Sequence, residues 1–326
     1  MTAVEEVGFS DTVMLSSSSS SSATNVFENG NYQTVLLNIQ SDGSVPVPPP
    51  KPLLVGTPSS PVGGDFPVLL LLHGYLLYNS FYSQLIQHIA SHGFIVVAPQ
   101  LYVIAGPDTS DDIKSTAAVI GWLPENLQAI LPAAVRPNLA KLALSGHSRG
   151  GKAAFALALK KFATSPLKIA ALIGIDPVDG LGEGTQTPPP VLTYVPCSFD
   201  LDHMPVMVIG SGLGSVPRNP FFPACAPKRV NHEDFYGECQ SPSWYFVVKN
   251  HGHVDMLDDD TKGLVGKSTY CLCKNGKSRA PMRSFVGGAA VAFLKAYLDG
   301  DDQDLLGIRD GHAASPVELE KVDFRA

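Results

Sequence analysis

One stretch decides the fold of this 326-residue chain: Leu142-Ala143-Leu144-Ser145-Gly146-His147-Ser148-Arg149-Gly150. Its last five residues read G-x-S-x-G. An apolar run typical of a strand precedes them, and the Ala-rich residues 152–156, typical of a helix, follow. A serine on a tight strand-to-helix turn holds its hydroxyl clear of the backbone, while Gly146 and Gly150 let the two elements approach where a side chain would collide. The stretch therefore predicts that Ser148 is a nucleophile.

Strand and helix patterns alternate on both sides of this turn. Short apolar runs are typical of strands buried on both faces of a parallel sheet. The predicted strands are 53–55, 67–72, 94–98, 142–144, 169–175, 205–209 and 244–248, and the predicted helices are 81–91, 110–130 and 284–298, the second kinked or broken at Pro124. With the strand–turn–helix around Ser148, this order is typical of the α/β-hydrolases. It predicts an α/β class fold, a mainly parallel doubly wound sheet flanked by helices, with ligand sites at the carboxyl ends of the strands.

The predicted domain covers residues 25–312. Residues 1–24, with an unbroken serine tract at 16–22, are expected to be a disordered N-terminal tail, and residues 313–326 a C-terminal tail. Val26-Phe27 and residues 32–39 are predicted to pair as a hairpin around Asn29-Gly30.

Composition excludes several classes of protein. A net charge of −7 argues against nucleic acid as a partner. No apolar run approaches the roughly 20 residues that span a bilayer, so the chain is not expected to be transmembrane. Five cysteines are not a disulfide framework, although one disulfide among Cys225, Cys239, Cys271 and Cys273 stays open. Cys271-Leu272-Cys273 has no second pair at zinc spacing, so no metal site is expected.

A serine nucleophile needs a base, an acid that orients the base, and donors for the oxyanion. The strand at 244–248 leads into Lys249-Asn250-His251-Gly252-His253, which offers two imidazoles. His253 is favoured because the loop needs several residues to return over the turn, and His251 is the rival.

The strand at 169–175 leads into Asp176-Pro177-Val178-Asp179-Gly180. Asp176 is the predicted acid because it stands at the carboxyl edge of the sheet, and Asp179, set in a turn, is the runner-up. The strand at 205–209 is followed by no carboxylate. The strand at 67–72 leads into His73-Gly74-Tyr75, so the backbone N–H groups of Tyr75 and Arg149 are the predicted oxyanion donors. The Arg149 side chain is expected at the surface or without a required role.

Several segments together resemble the plant chlorophyllases. They are His73 to Leu85 (H-G-Y-L-L-Y-N-S-F-Y-S-Q-L), residues 89–100, the G-H-S-R-G-G-K of residues 146–152, and Ile173-Gly174-Ile175-Asp176-Pro177-Val178. The resemblance runs over about residues 26–298. It implies a serine carboxylesterase that cleaves the phytyl ester of chlorophyll into chlorophyllide and phytol through an acyl-enzyme, with Ser148, Asp176 and His253 as the triad.

The resemblance also implies a hydrophobic ester substrate, no cofactor, and a chloroplast location, with the cytosol as the alternative because the N-terminus is not a clear transit peptide. Leu76, Tyr78 and Phe81 are candidate substrate-binding residues, and peripheral membrane contact is an open expectation. Other readings are a lipid or polyester esterase of the same fold and a hydrolase-fold ligand receptor.

Overall fold

The computed structural model describes residues 25–43, 45–59 and 63–326, and the described residues form one nine-stranded sheet. The expected tail 1–24 lies outside the described residues. The strands are β1 (Thr34–Ile39), β2 (Leu53–Pro58), β3 (Gly64–Leu72), β4 (Ile95–Pro99), β5 (Val135–His147), β6 (Ala171–Ile175), β7 (Val206–Ser211), β8 (Ser243–Val248) and β9 (Leu319–Arg325). The helices are α1 (Ser83–Ser91), α2 (Ser110–Ile130), α3 (Arg149–Ala158), α4 (His232–Glu238), α5 (Gly263–Ser268), α6 (Ala280–Leu294) and α7 (Gln303–Arg309).

The strand order is β1-β2-β4-β3-β5-β6-β7-β8-β9. Strands β3 to β8 run parallel to their neighbours in this order, whereas β1 and β2 at one edge and β9 at the other are antiparallel. A mostly parallel sheet flanked by helices is the α/β-hydrolase fold that the sequence predicts.

Helices cover both faces of the sheet, which explains why its central strands are apolar throughout. Successive residues of β3 point to opposite faces. Val68 and Leu70 pack in a core with residues of α2 and α3, whereas Leu69 and Leu71 pack in a second core with residues of α1 and α6. The two cores fix the sheet between two helical layers, and the carboxyl ends of the parallel strands meet at one edge.

The predicted N-terminal hairpin is wrong. Strand β1 pairs antiparallel with β2, and Val26-Phe27 forms part of a turn. Both side chains are buried in the core beneath α6, where the Phe27 ring stacks on Phe285 at 5.8 Å between centroids. Val26 and Phe27 are apolar because they pack in this core, and not because they form a strand.

The predicted C-terminal tail is also wrong. Residues Leu319–Arg325 form β9, which pairs antiparallel with β8. The Phe324 ring stacks on Trp244 at 5.2 Å between centroids. Charged residues alternate with apolar ones along β9, as is common for a strand at the edge of a sheet. The sheet therefore extends past the predicted domain end at residue 312.

The helices differ less from expectation. Helix α2 continues through Pro124 without a break, and α6 ends at Leu294, followed by a π-helical turn over Lys295–Asp299. None of the helices in the part of the chain that the structure describes is both long and apolar enough to cross a membrane.

Candidate active site

Ser148 lies on the tight turn between β5 and α3. Its φ is 55°, a left-handed conformation that non-glycine residues adopt rarely and mostly at functional sites. A Cβ added to Gly146 would lie 2.2 Å from the carbonyl oxygen of Gly150, and one added to Gly150 would lie 2.5 Å from that of Leu72. The turn can close only because both positions lack a side chain.

Three residues that are distant in sequence meet at this turn. Ser148 Oγ lies 2.8 Å from His253 Nε2, and His253 Nδ1 lies 2.7 Å from Asp176 Oδ2. All three side chains are buried. A carboxylate only accepts hydrogen bonds, so Nδ1 donates to Asp176 and Nε2 is free to accept from the serine hydroxyl. The arrangement can pass the serine proton to the imidazole.

Asp176 follows β6 directly and is held as a carboxylate. Burial alone would raise its pKa. The hydrogen bond and positive potential of His253, together with His232 and a hydrogen bond from Ser211, outweigh burial and lower the pKa of Asp176 to about 2. Its φ of 43° is again left-handed, which turns the side chain toward the histidine loop. The acid is therefore ionised at any pH near neutrality.

Ser211 supports this carboxylate and was missed by the sequence analysis. Ser211 Oγ donates to Asp176 Oδ2 over 2.5 Å, and Ser211 N–H donates to Oδ1 over 3.2 Å. Ser211 ends β7, and a Cβ added to Gly214 would lie 2.4 Å from its hydroxyl oxygen. The Gly-Ser-Gly at the end of β7, where a carboxylate is absent, was the signal that a donor for a neighbouring acid stands there.

The rival residues make other contacts. His251 lies in a separate cleft of about 650 Å³ together with Asn250 and Gly276. Asp179 is fully buried and forms an ion pair with Lys152, with 3.0 Å between Nζ and Oδ1. Its other oxygen accepts hydrogen bonds from the N–H groups of the two loop residues Val191 and Leu192. The structure thus joins His253 and Asp176, and neither rival, to Ser148.

The turn after β3 lies beside the serine. A Cβ added to Gly74 would lie 3.2 Å from Ser148 Cβ and 3.0 Å from His147 Nδ1. Tyr75 follows Gly74. Arg149 is the first residue of α3, and N–H groups in the first turn of a helix have no acceptor within the helix. Both predicted oxyanion donors therefore belong to backbone segments next to Ser148.

The Arg149 side chain is buried, contrary to the expectation of a surface group. Its Nε donates to Asp112 over 2.6 Å, and its two terminal nitrogens donate to the carbonyl oxygens of Gly106 and Asp108, each over 2.6 Å. Its guanidinium carbon lies 5.5 Å from the centre of the Tyr75 ring. Arg149 thus ties the loop at 106–108 and the Tyr75 turn to the serine turn.

A cleft of about 320 Å³ opens next to Ser148. Its lining comes from the loops and turns after β3, β4, β5, β6 and β7 and is mainly apolar: Tyr75, Pro107, Ser148, Arg149, Val178, Gly180, Leu181, Thr187, Ala224, Cys225 and Pro227. None of Leu76, Tyr78 and Phe81, the candidate substrate-binding residues, is in this lining.

Those three candidates differ in their surroundings. Leu76 is 42% exposed, beside Tyr75 in the turn after β3. Phe81 is buried in the core against α1 and α6, and the half-buried Tyr78 packs on it with 5.2 Å between ring centroids. The structure therefore does not bring Phe81 to the cleft, because its apolar ring serves packing under the loop.

One disulfide joins Cys225 to Cys273, with 5.6 Å between their Cα atoms, while Cys197, Cys239 and Cys271 are free. It ties the loop that carries the cleft residue Cys225 to the segment before α6. Within residues 25–43, 45–59 and 63–326, no group of three or more His, Cys, Asp or Glu side chains is arranged to hold a metal ion.

The fold and the joined serine, histidine and aspartate define a hydrolase of the α/β-hydrolase class. A family model described as Chlorophyllase matches residues 22–326. Chlorophyllase-2 of Arabidopsis thaliana is 62% identical over 316 residues, which cover 94% of this chain and 99% of the relative. Chlorophyllase-1 of Arabidopsis thaliana is 45% identical, with 90% of each chain covered. Chlorophyllase-1, chloroplastic, of Citrus unshiu is 43% identical, with 92% of this chain and 88% of the relative covered.

The chain belongs to the chlorophyllase family, and it is a carboxylic ester hydrolase.

Proposed function

We propose that this protein hydrolyses the phytyl ester of chlorophyll to chlorophyllide and phytol, with Ser148 as nucleophile, His253 as base and Asp176 as the acid that orients the base. The observation that carries this proposal is the unbroken line of hydrogen bonds from Ser148 Oγ through both nitrogens of His253 to Asp176 Oδ2. The names of the relatives, all chlorophyllases, support the choice of substrate.

The reaction proceeds in two steps. Ser148 Oγ attacks the ester carbonyl carbon while His253 Nε2 takes the serine proton, and Asp176 stabilises the imidazolium that results. The carbonyl–oxygen bond to phytol then breaks, and His253 returns the proton to the phytol oxygen. A water molecule, deprotonated by His253, attacks the acyl-enzyme ester and releases chlorophyllide, and the proton returns to Ser148.

The N–H groups of Tyr75 and Arg149 donate to the oxyanion that forms in each step. Support for this role comes from the position of the two backbone segments on either side of Ser148 and from the helix N-terminus at Arg149, which favours negative charge. A single such donor is typically worth about 2.7–4 kcal/mol of transition-state stabilisation.

The cleft next to Ser148 supports a large apolar substrate. Its lining is mostly apolar, and three of the loops that supply the lining also carry exposed apolar side chains: Ile104 (86% exposed), Leu181 (72%) and Phe221 (92%). The loop at 217–227, which carries Phe221, also supplies Ala224 and Pro227 to the lining. Of the candidate residues, Leu76 and Tyr78 remain proposed contacts for a substrate larger than the cleft.

The test is release of chlorophyllide from chlorophyll, set against release of fatty acid from triacylglycerol and hydrolysis of a p-nitrophenyl ester. We expect chlorophyllide release by the native protein and a loss of roughly 10⁴-fold or more in kcat for Ser148→Ala on every ester. Fatty-acid release without chlorophyllide release would favour a lipid esterase instead. Binding of chlorophyll with no turnover of any ester would favour a receptor.

The choice of base is tested in parallel. His253→Ala should be inactive, whereas His251→Ala should keep at least about a third of the native kcat, because His251 lies in a separate cleft that contains none of Ser148, His253 and Asp176. The opposite result would assign the base to His251.

We further propose that the protein acts in the chloroplast, supported by the chloroplastic names of two Citrus relatives. A fluorescent fusion of the full chain, compared with a fusion of residues 1–24 alone, tests this location. Fluorescence confined to the cytosol would contradict it.

Contact with an uncharged lipid surface is proposed for the border of the cleft. The chain carries a net charge of −7, which disfavours anionic lipid, and exposed apolar side chains stand on loops that line the cleft. Phe221→Ser should reduce co-sedimentation with galactolipid vesicles, whereas Phe162→Ser should not. Phe162 is 60% exposed but lies between α3 and β6, at the opposite edge of the sheet. Equal sedimentation of both variants would contradict the contact.

A further inference from the structure

Two buried side chains beside Ser148 stand outside the serine–histidine–aspartate line. Tyr82 is 1% exposed, and His147 is fully buried. Tyr82 Oη accepts a hydrogen bond from Gly74 N–H over 3.0 Å and lies 2.7 Å from His147 Nδ1. His147 Nε2 lies 2.8 Å from the carbonyl oxygen of His253. These four residues form a continuous series of hydrogen bonds, here named the Gly74–His253 chain.

With a neutral His147 ring, the Gly74–His253 chain has one direction. The carbonyl oxygen of His253 only accepts, so His147 Nε2 carries the proton and donates. In a neutral ring Nδ1 is then an acceptor, and the Tyr82 hydroxyl must donate to it. Tyr82 Oη still has a lone pair for the Gly74 N–H. Every donor meets an acceptor, which a buried polar network requires.

This direction of the hydrogen bonds requires a neutral His147 ring. Burial, aided by the nearby His253, lowers the pKa of His147 to about 3. Its ring centroid is 4.7 Å from that of His253. A second positive charge at that distance would oppose the imidazolium that His253 forms during attack. A neutral His147 therefore packs against the base without destabilising the positive charge that His253 takes during attack.

The sheet fixes the segments of Gly74 and His147 to one another, because β3 pairs directly with β5, but it connects them to His253 only through intervening strands. Gly74 follows β3, His147 ends β5, and His253 follows β8, but three strands (β5, β6 and β7) separate β3 from β8. Small displacements in each strand pair would accumulate across this distance. The Gly74–His253 chain joins the turn that precedes Tyr75 directly to the main chain of His253.

We infer that His147 and Tyr82 are positioning residues that hold the His253 main chain in register with the turn that carries the Tyr75 oxyanion donor. This inference rests on the roles proposed above for Ser148, His253 and the Tyr75 N–H. It gives a role to His147, the residue that precedes the nucleophile in G-x-S-x-G. The Gly74–His253 chain only positions the two segments, and neither Tyr82 nor His147 exchanges a proton with the substrate.

The test is a double-mutant cycle on the full chain, with a soluble p-nitrophenyl ester as substrate. Tyr82→Phe and His147→Leu should each lower kcat by about 10- to 100-fold, because a misplacement near 1 Å costs about that much. KM should change by no more than about twofold, since an interaction that matters only in the transition state leaves KM in place. The double variant should be about as slow as the slower single variant, because both changes break the same chain.

Rescue separates positioning from packing. In His147→Gln the carboxamide can donate to the His253 carbonyl oxygen without taking a charge, so most of the lost kcat should return. Tyr297→Phe is the matched control, since its hydroxyl accepts from Trp244 Nε1 over 2.8 Å, distant from the serine turn. It should leave kcat unchanged. The melting temperatures of all variants show whether the fold is kept. If His147→Leu does not fold, Tyr82→Phe, which removes only one oxygen atom, still tests the inference.

Two results would overturn the inference: kcat of Tyr82→Phe within about twofold of the native value, or losses in the two single variants that multiply in the double variant. Failure of the proposed function looks different. If Ser148→Ala still hydrolyses the ester, the proposed nucleophile is wrong. If Ser148→Ala is inactive while Tyr82→Phe and His147→Leu are fully active, only the positioning role is wrong.

Discussion

Two of the ten non-glycine residues with positive φ in the described part of the chain are proposed to carry the reaction. Ser148 and Asp176 both have left-handed φ angles, 55° and 43°, although neither is glycine. Such conformations cost of order 1–3 kcal/mol each and persist only where the surroundings enforce them. Here the close approach of Gly146 to Gly150 and the hydrogen bonds from Ser211 to Asp176 enforce them.

The first prediction concerns the proposed oxyanion donor of Tyr75, a backbone N–H that is kept when only the Tyr75 side chain is truncated. Gly74→Ala places a Cβ 3.0 Å from His147 Nδ1 and 3.2 Å from Ser148 Cβ, so the turn must move by a few tenths of an ångström. We expect kcat on a p-nitrophenyl ester to fall by about 10- to 100-fold, with KM nearly constant.

Gly106→Ala is its matched control. A Cβ there has no other atom within 4 Å, and the Gly106 carbonyl oxygen, which accepts from Arg149, is unchanged by the substitution. Its kcat should equal that of the native protein. A fully active Gly74→Ala would contradict the proposed placement of the oxyanion donor.

Helix α3, which begins directly after Ser148, also holds the loop after β6 that forms one wall of the cleft. Lys152 in α3 reaches the loop after β6 through its ion pair with Asp179 and hydrogen bonds to Thr187. Burial lowers the pKa of Lys152, while Asp179 opposes that shift. The loop contributes Val178, Gly180, Leu181 and Thr187 to the cleft lining. The lysine of the G-H-S-R-G-G-K signature therefore holds the loop, away from the reacting atoms.

The second prediction follows from this ion pair. Lys152→Met leaves the Asp179 carboxylate buried without its cation, and removal of one partner of a buried pair typically costs about 3–5 kcal/mol of unfolding free energy. Lys152→Met/Asp179→Asn should regain most of that loss, because the amide oxygen still accepts from the N–H groups of Val191 and Leu192. Urea unfolding followed by fluorescence measures both variants. A double variant less stable than Lys152→Met would contradict the pairing.

Elements were predictable from sequence where packing imposes a clear pattern. Strands β3 to β8 lie between two helical layers, so their residues are apolar on both faces and their runs stand out. Strand β9 has one exposed edge and alternates charge with apolar side chains, so its pattern resembles a solvated tail. Val26-Phe27 is apolar for packing against α6, which a local pattern cannot distinguish from strand pairing.

The same distinction applies to the site. Ser148, Asp176 and His253 each follow a strand at the carboxyl edge of the sheet, so their order along the chain predicts their meeting. Residues that act through other residues leave no such signal: the importance of Tyr82, His147 and Ser211 lies in contacts between segments distant in sequence. For Phe81 the sequence wrongly indicated a substrate contact, because an aromatic residue in a loop after a strand can equally be a core residue.

Acid should destabilise the whole molecule through its buried histidines. Burial lowers the pKa of His73 and of His88 to about 4, and that of His147 to about 3, from 6.5. Below pH 6.5 the unfolded chain binds protons that the folded protein does not bind, so the stabilisation present above pH 6.5 is lost as the pH falls through about 4.

The third prediction is a lower melting temperature at pH 5 than at pH 8, with a smaller difference in His88→Gln. A glutamine can still donate to the carbonyl oxygen of Val26, the partner of His88 Nε2 at 2.8 Å, but it does not titrate. The slope of unfolding free energy against pH should decrease by up to about 1.4 kcal/mol per pH unit. At pH 8 both proteins should unfold at similar temperatures. An unchanged pH dependence would contradict neutral burial of His88.

The contacts of Arg149 limit how far the serine turn can be treated as a transferable module. Three of its nitrogens are matched to oxygens on α2 and on the loop at 106–108, both outside the G-x-S-x-G stretch. Grafted into another hydrolase scaffold, the pentapeptide would bring a desolvated cation with no oxygens to receive it, next to a nucleophile that develops negative charge. A successful transplant would have to include the receiving loop and Asp112 as well.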